Sequence, residues 1–116
     1  TMKIPYYNNY LSENLSISGS SYKWTIKPYE NYYIIYNSNG RLTLSDVSNG
    51  SKVYLSNNVE INDNQKWTMN ILDNGNYVIS PMLNSQKCLE YSYGGTTNQL
   101  QVWDFGNGNN QQWILN

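Results

Sequence analysis

Asn64-Gln65-Lys66-Trp67 and Asn110-Gln111-Gln112-Trp113 decide the fold of this chain. Each has Asn, then Gln, then Trp after one spacer, and each runs on into short apolar pairs, Thr68-Met69 and Ile114-Leu115. A third Trp, Trp24, follows Tyr22-Lys23 and precedes Thr25-Ile26. The three Trp residues are 43 and 46 positions apart. Self-similarity at a period of about forty residues marks a repeat architecture, and three copies account for all 116 residues.

Outward from each Trp the same parts recur. A first strand is expected at Lys3 to Tyr6, Tyr32 to Tyr36 and Tyr77 to Ile79. A second is expected at Tyr10 to Ser12, Arg41 to Leu44 and Leu89-Glu90, and a third at Leu15 to Ser18, Lys52 to Leu55 and Leu100 to Trp103. The Trp strand, Tyr22 to Lys27 in the first copy, closes each repeat. β-branched and aromatic runs of this length read as strands. Asn39-Gly40, Asn49-Gly50, Asn74-Gly75 and Asn107-Gly108 fall between them, and both residue types tolerate the positive φ of tight turns. No stretch keeps a 3.6-residue apolar period, and Ala is absent. The expectation is one all-β domain over 1–116, of twelve short strands in three pseudo-symmetric repeats near 1–28, 29–70 and 71–116. No unit buries a core alone, but three can close a barrel. Trp24, Trp67 and Trp113 would then be core residues. The Gln two positions before Trp67 and Trp113 would satisfy buried backbone groups.

Composition narrows the chemistry. Asn, Ser and Tyr supply 45 of 116 residues, and charged residues are 13% with a net charge of −1. Scattered cations at that balance do not suit nucleic acid, which needs clustered Lys and Arg. Zero His and one Cys leave almost no zinc, haem or iron–sulfur ligand set and no His-activated nucleophile. No cofactor or metal is expected. No apolar run is long enough for a membrane helix, so no membrane insertion is expected, and no signal peptide is visible. The start at Thr1-Met2 fits an excised domain or a subunit. Four Trp and twelve Tyr argue against disorder. Cys88 reads as a small buried hydrophobe.

The paired Asn-Gln-x-Trp stretches resemble the ricin-type β-trefoil lectins, which carry Gln-x-Trp in each of three repeats. The resemblance covers essentially the whole chain. It is nearest to bacterial, toxin-associated, haemagglutinin-like members, through Leu89-Glu90, Tyr93-Gly94-Gly95, Leu100-Gln101-Val102-Trp103 and Asn110-Gln111-Gln112-Trp113. It implies non-catalytic binding of galactose-type sugars by the cell-surface-binding module of a secreted toxin. Partners would be galactose-containing glycans, and other domains or subunits of a toxin complex.

The resemblance also implies a site in the third repeat. Glu90 stands where the family has an acid, Gln101 at the polar strand position, Trp103 as the stacking platform and Asn110 as the amide. Gln111 supports Asn110 from behind, and Tyr93 forms a side wall. A flat ring covers the C–H face of a galactose at low entropic cost, and a carboxylate reads hydroxyl stereochemistry. Glu in place of the usual Asp lengthens the arm by one methylene, about 1.5 Å, which re-aims the carboxylate. The second repeat offers a weaker set, Asp46, Tyr54 and Asn64, with Ser56 where the platform should stand. The first repeat reads as structural. A competing expectation is a trefoil assembly module of a toxin complex without a working sugar site. Catalysis by paired carboxylates is not expected, because the acids fall in different repeats.

Overall fold

The structure, a computed structural model, describes residues 1–5, 9–92 and 98–116. Among them are twelve strands: β1 (Met2–Ile4), β2 (Asn9–Leu11), β3 (Ile17–Ser18), β4 (Thr25–Tyr29), β5 (Tyr32–Asn37), β6 (Gly40–Leu44), β7 (Val53–Ser56), β8 (Trp67–Ile71), β9 (Tyr77–Pro81), β10 (Lys87–Tyr91), β11 (Leu100–Asp104) and β12 (Ile114–Leu115). The fold is the expected β-trefoil. Three antiparallel pairs join one repeat to the next: β4 with β5, β8 with β9, and β12 with β1. Within repeats, Tyr33 pairs with Trp67 and Tyr77 with Trp113. The remaining strands form three hairpins, β2–β3, β6–β7 and β10–β11. The hairpins gather at one end, where Leu15, Val53 and Leu100, one from each, line a common open depression.

Several boundaries move from expectation. The second strand of the first repeat is Asn9–Leu11, and Ser12 leaves it to bond the following turn: its backbone N–H donates to the Ser16 carbonyl at 2.8 Å. Leu15 sits at φ 69°, outside β3. Trp24 and Trp113 stand just before their strands, whereas Trp67 begins β8. Of the Asn-Gly turns, three place the positive φ on Gly and the fourth places it on Asn107, at φ 58°. Gly40 carries a second constraint, because a Cβ there would lie 2.8 Å from the Ser56 backbone. Only glycine lets β6 approach β7 so closely.

One core holds the repeats together. Trp24 is 5% exposed, and Trp67 and Trp113 are fully buried beside Ile35, Leu42, Ile79, Leu89 and Val102. Each indole N–H finds an equivalent acceptor. Trp24 donates to the Leu11 carbonyl at 3.0 Å, Trp67 to Leu42 at 3.2 Å and Trp113 to Leu89 at 3.1 Å. Burying an indole therefore leaves no orphan donor. The three carbonyls also register the repeats: Ser12, Thr43 and Glu90, the next residues, occupy one station.

Cys88 lies in this interior with no exposure, and burial, then the Glu90 and Asp104 charges, push its thiol up to about 12. The thiolate is the reactive form, so the native thiol is inert at neutral pH. A disulfide-exchanging dye should label it only through unfolding, with a rate that rises in step with urea. Stoichiometric labelling of the native protein within minutes would contradict this placement.

Candidate functional site

The third-repeat residues come from two antiparallel strands and one 3-10 turn. Glu90 on β10 faces Gln101 on β11, and Trp103 lies two residues further along the same face. Asn110 and Gln111 sit in the 3-10 turn Asn109–Gln111 that leads into Trp113. The period-two alternation of β11 puts Val102 into the core and turns Trp103 outward, 44% exposed. The ring expected as the platform is therefore open to solvent.

The carboxylate beneath it is not. Glu90 is 7% exposed, and both of its oxygens are engaged. Gln101 Nε2 donates to Oε2 at 2.7 Å, and Gln111 Nε2 donates to Oε1 at 2.9 Å. Gln99 Nε2 donates in turn to Gln101 Oε1 at 3.0 Å. None of the ion pairs among the described residues includes Glu90. The longer Glu arm is thus folded inward and acts as an amide anchor. Gln111 also donates to the Asp104 carbonyl at 2.9 Å and accepts from Gly106 N–H at 2.8 Å and Gly108 N–H at 3.3 Å. It holds Glu90 and the loop after β11, not Asn110. Asn110 Nδ2 donates to the Tyr91 carbonyl at 3.1 Å, capping β10. Tyr93 lies outside the described residues.

A loop of the second repeat supports the platform, and sequence reasoning missed it. Gly50 N–H donates to the Val102 carbonyl at 2.8 Å, and Val102 N–H donates to the Ser51 carbonyl at 3.1 Å. A Cβ on Gly50 would stand 3.6 Å from Trp103 Cζ3, so the glycine backbone borders the indole. Asn49 fixes the far side: Oδ1 accepts from the Asp104 N–H at 2.8 Å, and Nδ2 donates to Asp104 Oδ2 at 3.0 Å. Lys87 Nζ reaches Asp104 Oδ1 and Asn49 Oδ1, each at 2.7 Å. The Lys87 ammonium, then Asn49, hold the Asp104 carboxyl below the usual carboxylate range. A depressed acid keeps its clasp above its own pKa, so this one holds through neutral and mildly acidic pH and loosens only below the ordinary carboxylate range. The only sequence hint was the Asn49-Gly50 turn.

The second-repeat set does not assemble as expected. The station of Glu90 belongs to Thr43, not Asp46. Thr43 faces Tyr54 across the hairpin and accepts from Gln65 Nε2 at 3.1 Å. Asp46 lies in the exposed loop beyond β6 and accepts the Val47 N–H at 2.7 Å. Asn64 Nδ2 donates to the Leu44 carbonyl at 3.1 Å, the counterpart of the Asn110 contact, and its buried Oδ1 has no partner among the described residues. Tyr54 is 42% exposed, with Ser56 in place of a platform. Gln65 is clamped differently from Gln111, because Arg41 donates to its Oε1 at 3.1 Å.

A threefold β-trefoil whose second and third repeats close on Gln-x-Trp is the scaffold of a lectin-type binding module. The chain belongs to the family of ricin-type beta-trefoil lectin domain-like proteins, whose model matches residues 20–98 and 63–116. Modules of this family are lectin-type, non-catalytic binding modules, consistent with carbohydrate binding. A mosquitocidal holotoxin is similar at 26% identity and TM-score 0.61, over 78% of this chain. The chain spans 12% of that protein's length. The designed threefold-symmetric protein ThreeFoil shares the fold, with TM-score 0.66 and 21% identity over 97% of this chain and 86% of its own. No curated protein matches the chain.

Proposed function

We propose that the chain is a non-catalytic galactose-binding module that serves a secreted toxin, with its sugar site in the third repeat. The observation that carries this reading is Trp103, an indole held open on a rigid hairpin beside Gln101 and bordered by the Gly50 backbone. A pyranose C–H face stacks on the indole, and the amides of Gln101 and Asn110 bond its hydroxyls. Each amide nitrogen carries a second N–H beyond the one already used. Glu90 acts through Gln101 and Gln111 as a positioning group. A shallow site of this kind binds weakly, with a Kd of order 1 mM, about −4 kcal/mol. Adhesion then needs several copies on one surface.

Lactose titration followed by Trp fluorescence tests this. The native protein should respond saturably at millimolar sugar, and Trp103→Ala should abolish the response while leaving the circular dichroism unchanged. Absence of any response to galactosides would leave the assembly-module reading in its place.

A further inference from the structure

A second groove lies on the flank of the barrel, away from Trp103. It has a volume of about 270 Å³, the scale of one sugar ring, and is lined by Lys27 of β4, Ile34 and Tyr36 of β5, Arg41 of β6, and Ser56 with Asn57 at the end of β7. Lys27 stands opposite Ile34 across the β4–β5 ribbon, so its aliphatic stem lies along the apolar wall and its ammonium reaches water. Tyr36 is half-buried and supplies a ring.

The charge of this groove is unusual for so neutral a protein. Arg41 makes four hydrogen bonds, and all end on neutral oxygens: the carbonyls of Asn58, Val59 and Glu60, at 2.6, 3.3 and 3.3 Å, and Gln65 Oε1. These bonds fix the guanidinium without neutralising it. Neither Arg41 nor Lys27 belongs to an ion pair among the described residues, and no carboxylate lines the groove. Two of the chain's seven basic residues thus flank one cavity uncompensated.

Pseudo-symmetry supplies an internal comparison. Asn70, Val78, Ser80 and Asp104 line a groove of about 380 Å³ in the next repeat. The pairs Tyr33–Trp67 and Tyr77–Trp113 put Ile34 and Val78 at one station, and Tyr36 and Ser80 at another. Counting from Trp24 and Trp67, Lys27 matches Asn70. The hairpin registers match Asn57 with Asp104, since Ser56 faces Arg41 as Trp103 faces Cys88. One scaffold position therefore carries Lys27, Tyr36 and an unpaired Arg41 in one repeat, and in the next Asn70, Ser80 and an Asp104 whose charge Lys87 already offsets.

We propose that the Lys27–Arg41 groove binds the acidic unit of a charged saccharide, a sugar bearing a carboxylate or a sulfate ester. Lys27 donates to the anion, and Arg41 adds its charge and its remaining Nε–H, since its four terminal N–H groups are already committed. The Tyr36 and Ile34 wall covers the ring, and Ser56 and Asn57 bond hydroxyls. That the ligand is a saccharide rests on the carbohydrate-binding reading above; the preference for an anion rests on the groove alone.

The test follows amide and side-chain NMR shifts of the intact protein with sialyllactose, sulfated lactose, neutral lactose and sodium sulfate. Either acidic sugar should shift Ile34 and Tyr36 saturably, at least about tenfold more tightly than lactose, and the gain should shrink as added salt screens the charges. Lys27→Gln and Asn57→Asp should each weaken this binding by about fivefold or more. Asn57→Asp places a carboxylate at the rim of the groove, where it competes with the ligand anion for the two cations. Trp103→Ala should leave these shifts intact, so failure of the galactose site and failure of this groove are read separately. The proposal is overturned if the acidic sugars and lactose shift the groove equally, if Asn57→Asp changes nothing, or if sulfate alone binds as tightly as sulfated lactose.

Discussion

Trp113→Ala is expected to lower folding stability by about 3–5 kcal/mol, the range for truncating a fully buried aromatic. Trp113 has no exposed surface, and its indole N–H satisfies the Leu89 carbonyl. The substitution removes the packing, opens a cavity at the junction of the repeats and strands that carbonyl. Domains of this size are stable by only about 5–15 kcal/mol, so much of the margin disappears. Trp113→Phe keeps most of the ring and loses the hydrogen bond, so its cost should be smaller, about 1–3 kcal/mol. Urea unfolding followed by circular dichroism should rank the native protein above Trp113→Phe and Trp113→Ala last. A loss below about 1 kcal/mol for Trp113→Ala would remove Trp113 from the core.

The second large effect is expected at Glu90. Glu90→Ala should cost about 3 kcal/mol, because the Gln101 and Gln111 amides lose a charged acceptor inside the protein. One effect opposes this: a buried carboxylate without a cation carries a desolvation penalty, and its removal is favourable. The stranded donors win, since neither Gln can turn to solvent without giving up its other bonds to Gln99 or Asp104. The same variant should weaken lactose binding, through Gln101 losing its orientation. A shifted urea midpoint with normal lactose affinity would separate the anchor from the sugar site. An unchanged midpoint would dismiss the anchor itself.

How much of this was legible varies by level. The β-trefoil could be read because the repeated Trp is a core demand, and each copy must place its indole at the same station. Strand ends were less clear. In the first repeat Ser12 and Leu15 read as strand residues, yet the short turn between β2 and β3 needs them for its own bonds. The site was half legible. The resemblance implied an open Trp103 as the platform, and the ring is exposed, because Val102 beside it takes the inward face of β11. The inward turn of Glu90 depends on which donors surround it, and Gln111 approaches from another element. Asp46 was matched to Glu90 because both are acids near the end of a strand. The indole contacts to Leu42 and Leu89 show that the true counterpart is Thr43, a comparison that residue type alone misdirects. The seat of Asn49 and Gly50 beneath Trp103 crosses between repeats, and no local pattern signals such a contact.

The pairing of β12 with β1 bears on how the chain is made. Met2 faces Leu115, Lys3 faces Ile114, and the Asn116 N–H donates to the Thr1 carbonyl at 3.3 Å. During vectorial synthesis the second repeat can pair β5 with β8 early, but β1 waits with one bare edge until β12 has been made. An unpaired edge is a template for strands of other nascent chains. Closing the ring thus depends on β12, and the short β1 and β12 keep the exposed edge brief in length until then.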